Sequence, residues 1–226
     1  MRDHFRHAKA ALAAGRHVHV EKPPTVALGE FTELVELARR GQRLMQMGYM
    51  WRYHPGFAKI FEAVRAGWLG DVSLVRGAID SHYPGASARK ALAEFRGGGM
   101  FELGCHLIDQ VARLMGRPQK ISTTLRTHGG SDGLADNALA VFEYPKALAF
   151  VHVNLLRPGA GAHRYFEVVG TNGTAFMRPL EAPTLTLDLA KPAGPYAKGM
   201  QTIPLPAYPR YIPEMADLAD AVPLCS

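Results

Sequence analysis

The sequence predicts an α/β segment followed by an α+β domain with a large, mostly antiparallel open sheet. Helix and strand patterns alternate up to about residue 52, which is the rhythm of a parallel α/β sheet. Strand patterns dominate from Ile121 onward, and an Asn172–Gly173 pair between two apolar runs predicts a hairpin turn. We therefore expect a first domain over residues 1–52 and a second over residues 53–226.

The first segment contains two predicted helix–strand pairs. Apolar residues at helical spacing predict a helix that ends at Gly15, because glycine readily takes the left-handed conformation found after a helix end. A short strand over His17–Val20 is ended by the prolines at 23–24, which cannot donate to a ladder. A second helix ends near Gly41, and residues 43–48 form the next strand.

The second segment mixes helices with many strands. Its predicted elements are, in order, a helix from Phe57 ending at Gly67, a strand over Val72–Asp80, an irregular stretch over Ser81–Arg96, a helix over Met100–Leu114, strands over Leu139–Tyr144, Leu148–Leu155 and Tyr165–Val169, an irregular proline-rich stretch over Pro192–Pro209, and a final helix from about Arg210.

Composition and charge narrow the functional class. Of the 226 residues, 47% are hydrophobic and 20% charged, as in a packed globular protein. The net charge of +6 comes from scattered basic residues, so we expect no nucleic-acid partner. The sequence shows neither an apolar run near the roughly 20 residues of a membrane span nor a signal-peptide pattern, which favours a cytoplasmic location without a membrane partner. The two cysteines imply no disulfide framework.

Glu21, Lys22 and Pro23 follow a predicted parallel strand. The carboxyl ends of such strands are where open α/β sheets bind ligands. A lysine at this position can hold a hydroxyl group or a nicotinamide by a charge-assisted hydrogen bond. Taken alone, the tripeptide favours a surface lysine in a turn over a ligand contact.

Residues 97–109 combine three glycines with acid–base side chains. Glu102, His106 and Asp109 are separated by four and three positions, which places them on one face of a regular helix. A histidine beside a carboxylate is suited to proton transfer near neutral pH, as the oxidation of an alcohol requires. The glycines allow another backbone or a flat cofactor to approach closely. A surface ion pair after a flexible loop is the alternative.

Other polar residues are weaker candidates. Arg52 follows the last strand of the first segment and could reach a cofactor phosphate or substrate, although a domain hinge explains it as well. His82, Tyr83 and Arg164 are candidate substrate residues, with a sheet or loop surface as the alternative. The histidine pairs at 4/7 and 17/19 have plausible metal-ligand spacing, but no cysteine or carboxylate completes a site, so we expect no metal.

Four stretches of the chain together resemble the Gfo/Idh/MocA oxidoreductases. The stretch from His4 to Pro23 is similar to the family segment that ends in Glu-Lys-Pro, and Leu44–Pro55 is similar to its last Rossmann strand and crossover. Gly97–Asp109 resembles the signature helix of the family, and Val168–Thr174 resembles a late sheet hairpin. These ordered matches extend from residue 4 to about residue 175.

The resemblance implies NAD or NADP as the cofactor and a role for each matched residue. Lys22 is expected at the nicotinamide and the substrate hydroxyl, flanked by Glu21 and Pro23, and His106 is expected to be the general acid/base. Glu102 stands where the family usually has aspartate and is expected to orient substrate or His106. Asp109 is expected to help fix the helix and to be one of the substrate residues. His4 and Arg52 are expected to contact the cofactor.

The predicted function is hydride transfer between a nicotinamide cofactor and a sugar, polyol or related cyclic alcohol. A full member of the family would contain a Gly-x-Gly-x-x-Gly turn, and this spacing does not occur here. We therefore expect a first domain that is an incomplete Rossmann fold and a chain that binds dinucleotide poorly. A homo-oligomer through the C-terminal sheet is also expected. The alternatives are a non-catalytic, sheet-mediated oligomerisation module and an NAD-dependent glycoside hydrolase.

Overall fold

The computed structural model describes residues 3–83, 85–130 and 132–222, which form two units that are described separately here. The first contains the residues up to His54 together with the described residues from Tyr208 onward. The second is Pro55–Ala207. Among the described residues, no helix is both long and apolar enough to cross a membrane.

The first unit begins with two helix–strand pairs. Its elements are α1 (Asp3–Ala13), β1 (Val18–Val20), α2 (Leu28–Arg40), β2 (Met45–Met47) and a 3₁₀ turn (Met50–Tyr53). β1 and β2 are parallel, with Val18 opposite Met45. Both helices pack on one face of this pair, in a small apolar core. Gly15 has a φ of 71°, which confirms the predicted helix end.

The second unit is built on a large sheet, as predicted. Its elements are α3 (Pro55–Arg65), β3 (Val72–Ala78), α4 (Ala86–Ala93), a π-helical segment (Met100–Gly104), α5 (Cys105–Met115), β4 (Lys120–Arg126), β5 (Asn137–Glu143), β6 (Leu148–Asn154), a 3₁₀ turn (Ala160–His163), β7 (Tyr165–Gly170), β8 (Gly173–Arg178), β9 (Thr184–Leu189) and β10 (Gly199–Ile203).

Within the described residues the sheet has eight strands in the order β10-β9-β8-β7-β3-β6-β5-β4. Only the pairing of β3 with β6 is parallel, and β7 and β8 form the hairpin predicted at Asn172–Gly173. One face is covered by helices: a side chain at Gly77 of β3 would approach Leu107 of α5 to 3.0 Å, and Phe57 of α3 packs edge-to-face on Phe166 of β7. We call the opposite side the open face.

Two stretches predicted to be irregular each contain one regular element. The stretch 81–96 contains the helix α4, which a buried residue anchors: Arg89 is 5% exposed and pairs with Asp132 at 2.7 Å and Asp136 at 3.0 Å. The stretch 192–209 contains β10, which pairs with β9 over five residues of each strand. Both predictions were wrong because long-range partners, which local periodicity does not reveal, stabilise these segments.

The two units of the structure differ from the predicted domains in the placement of one helix, while the predicted domain bounds stay a prediction. The sequence assigned all residues after 52 to the second domain, but the last helix, α6 (Ile212–Ala221), belongs to the first unit. The Gln46 side chain donates to the carbonyl of Glu214 at 2.9 Å, and the Tyr53 hydroxyl donates to Asp217 at 2.5 Å. These polar contacts attach α6 to the first unit.

Candidate active site

The Glu21–Lys22–Pro23 turn follows directly after β1 and includes a cis peptide bond between Lys22 and Pro23. The backbone N–H of Lys22 donates to Glu21 Oε2 at 3.2 Å. His4 lies 2.9 Å from the carbonyl oxygen of Pro23 through Nδ1, which must be the donor because a carbonyl only accepts. The structure thus brings together four of the residues predicted to contact the cofactor.

The carboxyl ends of β1 and β2 meet beside this turn. The N–H of Gly48, after β2, donates to the carbonyl of Val20 at 2.8 Å. A side chain at Gly48 would approach Glu21 Oε2 to 3.1 Å, so only glycine leaves Glu21 undisturbed. Arg52 lies four residues further on, exposed, with its guanidinium 5.2 Å from the ring of Tyr49. This is the strand edge at which open parallel sheets bind ligands.

The other face of β1 and β2 carries a polar network that the sequence analysis missed. His19 Nδ1 lies 2.8 Å from Gln46 Oε1, and Gln46 Nε2 donates to the hydroxyl of Tyr53 at 3.1 Å. Burial, the hydrogen bond to Asp217 and its charge raise the pKa of Tyr53 to about 12. The alternation of side chains along β1 indicated only that His19 lies on the face opposite the apolar core. No sequence pattern near His19 linked this residue to α6.

In the second unit, two of the three glycines before the signature helix lie against other parts of the chain, and the third, Gly97, has a φ of 90°. Gly98 has a φ of 46°, and a Cβ there would lie 2.6 Å from the carbonyl oxygen of Ala135. A Cβ at Gly99 would lie 2.9 Å from Leu155. Of the two explanations considered for these glycines, the structure supports the close approach of another part of the chain.

The signature helix differs from the predicted regular helix in its first turn. Met100–Gly104 is π-helical and continues into α5, so the offset between Glu102 and His106 is not that of a regular α-helix. Single π-helical turns within α-helices are frequent at functional sites. They alter the direction in which the side chains of the turn project, which periodicity arguments based on 3.6 residues per turn cannot anticipate.

His106 is a buried residue of α5. It is 5% exposed, which rules out the alternative of an ion pair on the helix surface. Glu102 and Asp109 are both half-buried, and Asp109 accepts a hydrogen bond from the Gln110 side chain at 3.3 Å. A buried imidazole with nearby carboxylates can take up or release a proton in a water-poor environment.

The predicted substrate residues His82, Tyr83 and Arg164 lie around the end of β3. His82 forms an isolated antiparallel bridge with Leu156, and the N–H of Tyr83 donates to the carbonyl of Leu155 at 2.9 Å. Arg164 donates to the carbonyl of Asp80 at 2.7 Å and forms an ion pair with the Glu181 carboxylate. Arg164 therefore also stabilises this corner of the sheet, at the end of β3.

The same corner contains charged residues that the sequence analysis did not single out. Asp80 is 1% exposed and accepts hydrogen bonds from the N–H of Asn154 at 3.0 Å and from Arg157 at 2.8 Å. His152 Nδ1 lies 3.6 Å from the same carboxylate, and its Nε2 lies 3.0 Å from Asn137 Oδ1. The position of Asp80 at the end of a predicted strand was the only available signal.

Three of the four histidines considered as metal ligands have other contacts. His17 Nδ1 accepts a hydrogen bond from the N–H of Leu44 at 3.0 Å, while His4 and His19 use Nδ1 as described above. Within the described parts of the chain, no group of three or more histidine, cysteine or acidic residues is arranged to hold a metal ion.

Comparison with known families identifies both units. Residues 2–49 match a family model described as "Oxidoreductase family, NAD-binding Rossmann fold", which defines the first unit as part of a dinucleotide-binding domain. Residues 57–176, more than half of the chain, match the "GFO/IDH/MocA C-terminal domain". The chain therefore belongs to the Gfo/Idh/MocA family of oxidoreductases, as the sequence motifs predicted, and the expected fold class is confirmed.

Individual relatives agree with this assignment. The chain is 31% identical over 172 residues to the uncharacterized oxidoreductase YdgJ of Escherichia coli, covering 76% of this chain and 49% of that protein. It is 26% identical to scyllo-inositol 2-dehydrogenase (NADP(+)) IolW of Bacillus subtilis, covering 70% and 44%. An inositol dehydrogenase homologue of Azotobacter vinelandii, solved with NAD+, shares the fold with a TM-score of 0.77 at 20% identity, covering 89% and 54%. The chain thus spans about half the length of these relatives.

Proposed function

We propose that this protein is an NAD(P)-dependent oxidoreductase that transfers a hydride between the nicotinamide and a sugar, polyol or related cyclic alcohol. The observation on which the proposal depends is the position of Lys22 at the carboxyl end of β1, in the segment that matches the NAD-binding domain of the family. A cation at this strand edge fits a polar nicotinamide or a substrate hydroxyl. A cytoplasmic location is part of the proposal.

The side chains of both units have distinct roles in this proposal. Lys22 donates a hydrogen bond to the reacting hydroxyl and so favours the loss of its proton. His106 accepts or returns that proton as general acid/base, and Glu102 orients either the substrate or His106. When bound, the dinucleotide supplies the hydride acceptor or donor. His4, Glu21 and Pro23 hold the turn that bears Lys22, and Arg52 contacts the cofactor.

The substrate class is proposed from chemistry and from relatives. One relative is named a scyllo-inositol 2-dehydrogenase, and one solved inositol dehydrogenase homologue is described as a complex with NADH and myo-inositol. A ring bearing several hydroxyl groups requires several donors and acceptors, which His82, Tyr83, Arg164 and Asp109 could supply in this chain. We therefore propose a polyhydroxylated ring as the substrate.

The first test concerns the cofactor and uses calorimetric titration of the 226-residue chain with NADH. We expect weak binding, because no Gly-x-Gly-x-x-Gly turn is present to place a helix N-terminus at the pyrophosphate. A version of the chain extended to include such a turn is expected to bind NADH tightly. An extended version of this kind that does not bind NADH would contradict the proposal.

The second test concerns the reaction and follows NADH or NADPH absorbance in the extended version with a panel of inositols and sugars. We expect Lys22→Ala to lower kcat/KM by about 10- to 100-fold, as for the loss of a charged hydrogen bond. His106→Asn is expected to lower kcat by about 100-fold or more. Lys9→Ala, which removes a half-exposed lysine paired with Glu33 on the surface, is the control. Release of a free sugar without net NADH formation would instead indicate a glycoside hydrolase.

The open face of the large sheet suggests the partner. On β6 the buried residues Ala149, Val151 and Val153 alternate with the half-buried residues Phe150 and His152, which lie on the open face. We propose that a second copy of the chain covers this face, because large apolar side chains on an uncovered sheet favour association. A non-catalytic module that associates through this sheet is the second candidate function, and retained association with no turnover in the second test would favour it.

A further inference from the structure

Glu214 is an unusual residue in α6. Its exposed fraction is 0%, and it is the only buried residue of this ten-residue helix. Glutamate is almost never fully buried unless it is paired, because desolvating a carboxylate costs several kcal/mol. A residue of this kind at the single buried position of a helix therefore calls for a specific explanation.

Helix attachment does not explain the carboxylate. Gln46 binds the backbone carbonyl of Glu214 at 2.9 Å, and Tyr53 binds Asp217 at 2.5 Å, so α6 is held without the Glu214 side chain. Among the described residues, neither carboxylate oxygen of Glu214 has a hydrogen-bond partner. An apolar residue of similar size would fill the same space without the desolvation cost.

The carboxylate instead faces β1. Glu214 Oε1 lies 3.8 Å from His19 Nε2, and the ring of His19 is oriented by its Nδ1 contact with Gln46 at 2.8 Å. Because Gln46 Nε2 is used as a donor, its Oε1 is the acceptor, and His19 Nδ1 therefore donates. This leaves Nε2 directed at the carboxylate, and a shift of about 1 Å would form a hydrogen bond.

The charged and titratable groups near Glu214 lie on several elements of the first unit. They are His19 and Glu21 on β1 and its end, Tyr53 in the 3₁₀ turn, and Tyr208, Arg210 and Asp217 on or before α6. Burial raises the pKa of Glu214, and the charge of Glu21 raises it further, whereas His19 and Arg210 lower it. His19, which the Glu214 carboxylate faces, lies two residues before Glu21, whose side chain accepts the N–H of Lys22.

We propose that Glu214 is a positioning residue for the Glu21–Lys22–Pro23 turn. Glu214 shares a proton with His19 and acts on the turn through His19. Loss or gain of this proton changes the charge beneath the turn and so the position of Glu21 and of the Lys22 backbone. The functional meaning of this role rests on the proposed function, in which Lys22 contacts the reacting groups. The coupling itself is a property of the first unit alone.

The test follows the carbon resonance of the Glu214 carboxyl group and the Lys22 amide resonance as the pH is varied, in the 226-residue chain. We expect both resonances to titrate with the same midpoint. In His19→Asn, a nearby positive charge is lost, so the proton affinity of Glu214 should rise by about tenfold, which corresponds to one pKa unit. Lys9→Gln, which removes a positive charge from the surface of α1 where Lys9 pairs with Glu33, should leave the midpoint unchanged.

A second variant separates positioning from folding. In Glu214→Gln, which keeps the shape of the side chain, the shared titration of the Lys22 amide should disappear, whereas Asp220→Asn at an exposed position of the same helix should leave it intact. Different midpoints for Glu214 and Lys22 in the unaltered chain would overturn the proposal even if both variants failed to fold. Since no substrate or dinucleotide is used, this result is independent of whether the proposed function is correct.

Discussion

At the scale of single residues, conformation and contact constrain the glycines of the second unit in different ways. Gly98 combines a left-handed φ of 46° with a close approach to the carbonyl oxygen of Ala135. Gly67 also has a left-handed φ, of 72°, but a Cβ there would meet nothing within 4 Å. Substitutions at Gly98 and Gly67 therefore distinguish the effect of backbone strain from the effect of steric overlap.

We expect Gly98→Ala to destabilise the protein by about 3 kcal/mol or more, because strain of about 1 kcal/mol is added to a clash with backbone that cannot rotate away. Gly67→Ala should cost only about 1 kcal/mol, from strain alone. Chemical denaturation measures both values. Equal losses in the two variants would show that the contact with Ala135 does not limit the space at residue 98.

At the scale of elements, α4 depends on one buried ion-pair cluster. Asp136 is 0% exposed and accepts hydrogen bonds from the N–H groups of His128 at 2.9 Å and Gly129 at 2.7 Å, in addition to Arg89. Burial alone raises the pKa of Asp136, but the hydrogen bonds from Gly129, His128 and Arg89 outweigh it and hold the pKa below its usual value.

We expect Arg89→Ala to destabilise the protein by about 3–5 kcal/mol, because it leaves the buried carboxylate of Asp136 without its cation. Arg117→Ala, at an exposed position, should change stability by no more than about 0.5 kcal/mol. Urea denaturation provides the comparison. A small effect of Arg89→Ala would show that the backbone N–H groups alone compensate Asp136.

The same cluster predicts a pH dependence. A carboxyl group whose pKa is lowered by folding contributes stability above its unfolded-state pKa, and this contribution is lost as the pH falls through the folded-state pKa. Asp136 should therefore contribute to acid unfolding below about pH 4. In Asp136→Asn, the loss of stability between about pH 5 and pH 2 should be shallower than in the unaltered chain. An identical acid profile would contradict this assignment.

At the scale of the whole molecule, the open face of the large sheet tests the proposed assembly. Phe150 lies on this face beside Arg76 of the neighbouring strand β3. We expect Phe150→Lys to convert an oligomer into monomers, because it replaces an apolar side chain of the contact area by a hydrated charge beside the Arg76–Glu167 ion pair. Light scattering after size-exclusion chromatography measures the mass.

Leu28→Lys is the matched control, because Leu28 is 80% exposed and belongs to the first unit. It should leave the mass of the assembly unchanged. A monomeric unaltered chain, or a Phe150→Lys variant that keeps its mass, would contradict association through the open face.

Part of this protein could be predicted from its sequence because the signals are local. The helix end at Gly15, the hairpin at Asn172–Gly173 and the position of Lys22 at a strand end all follow from residue type and spacing within a few positions. The family motifs are also local runs, so they identified the family and its fold class. Their order along the chain was sufficient to predict an α/β segment before a mostly antiparallel sheet.

The remaining features were decided by the tertiary structure, because they depend on residues far apart in the chain. Arg89 stabilises α4 through its ion pair with Asp136. Pairing with β9 makes part of a proline-rich stretch a strand, and Gln46 binds α6 to the first unit. The buried position of Glu214 beside His19 belongs to the same group. Burial and long-range hydrogen bonding determine these features, and neither leaves a periodic pattern in the sequence.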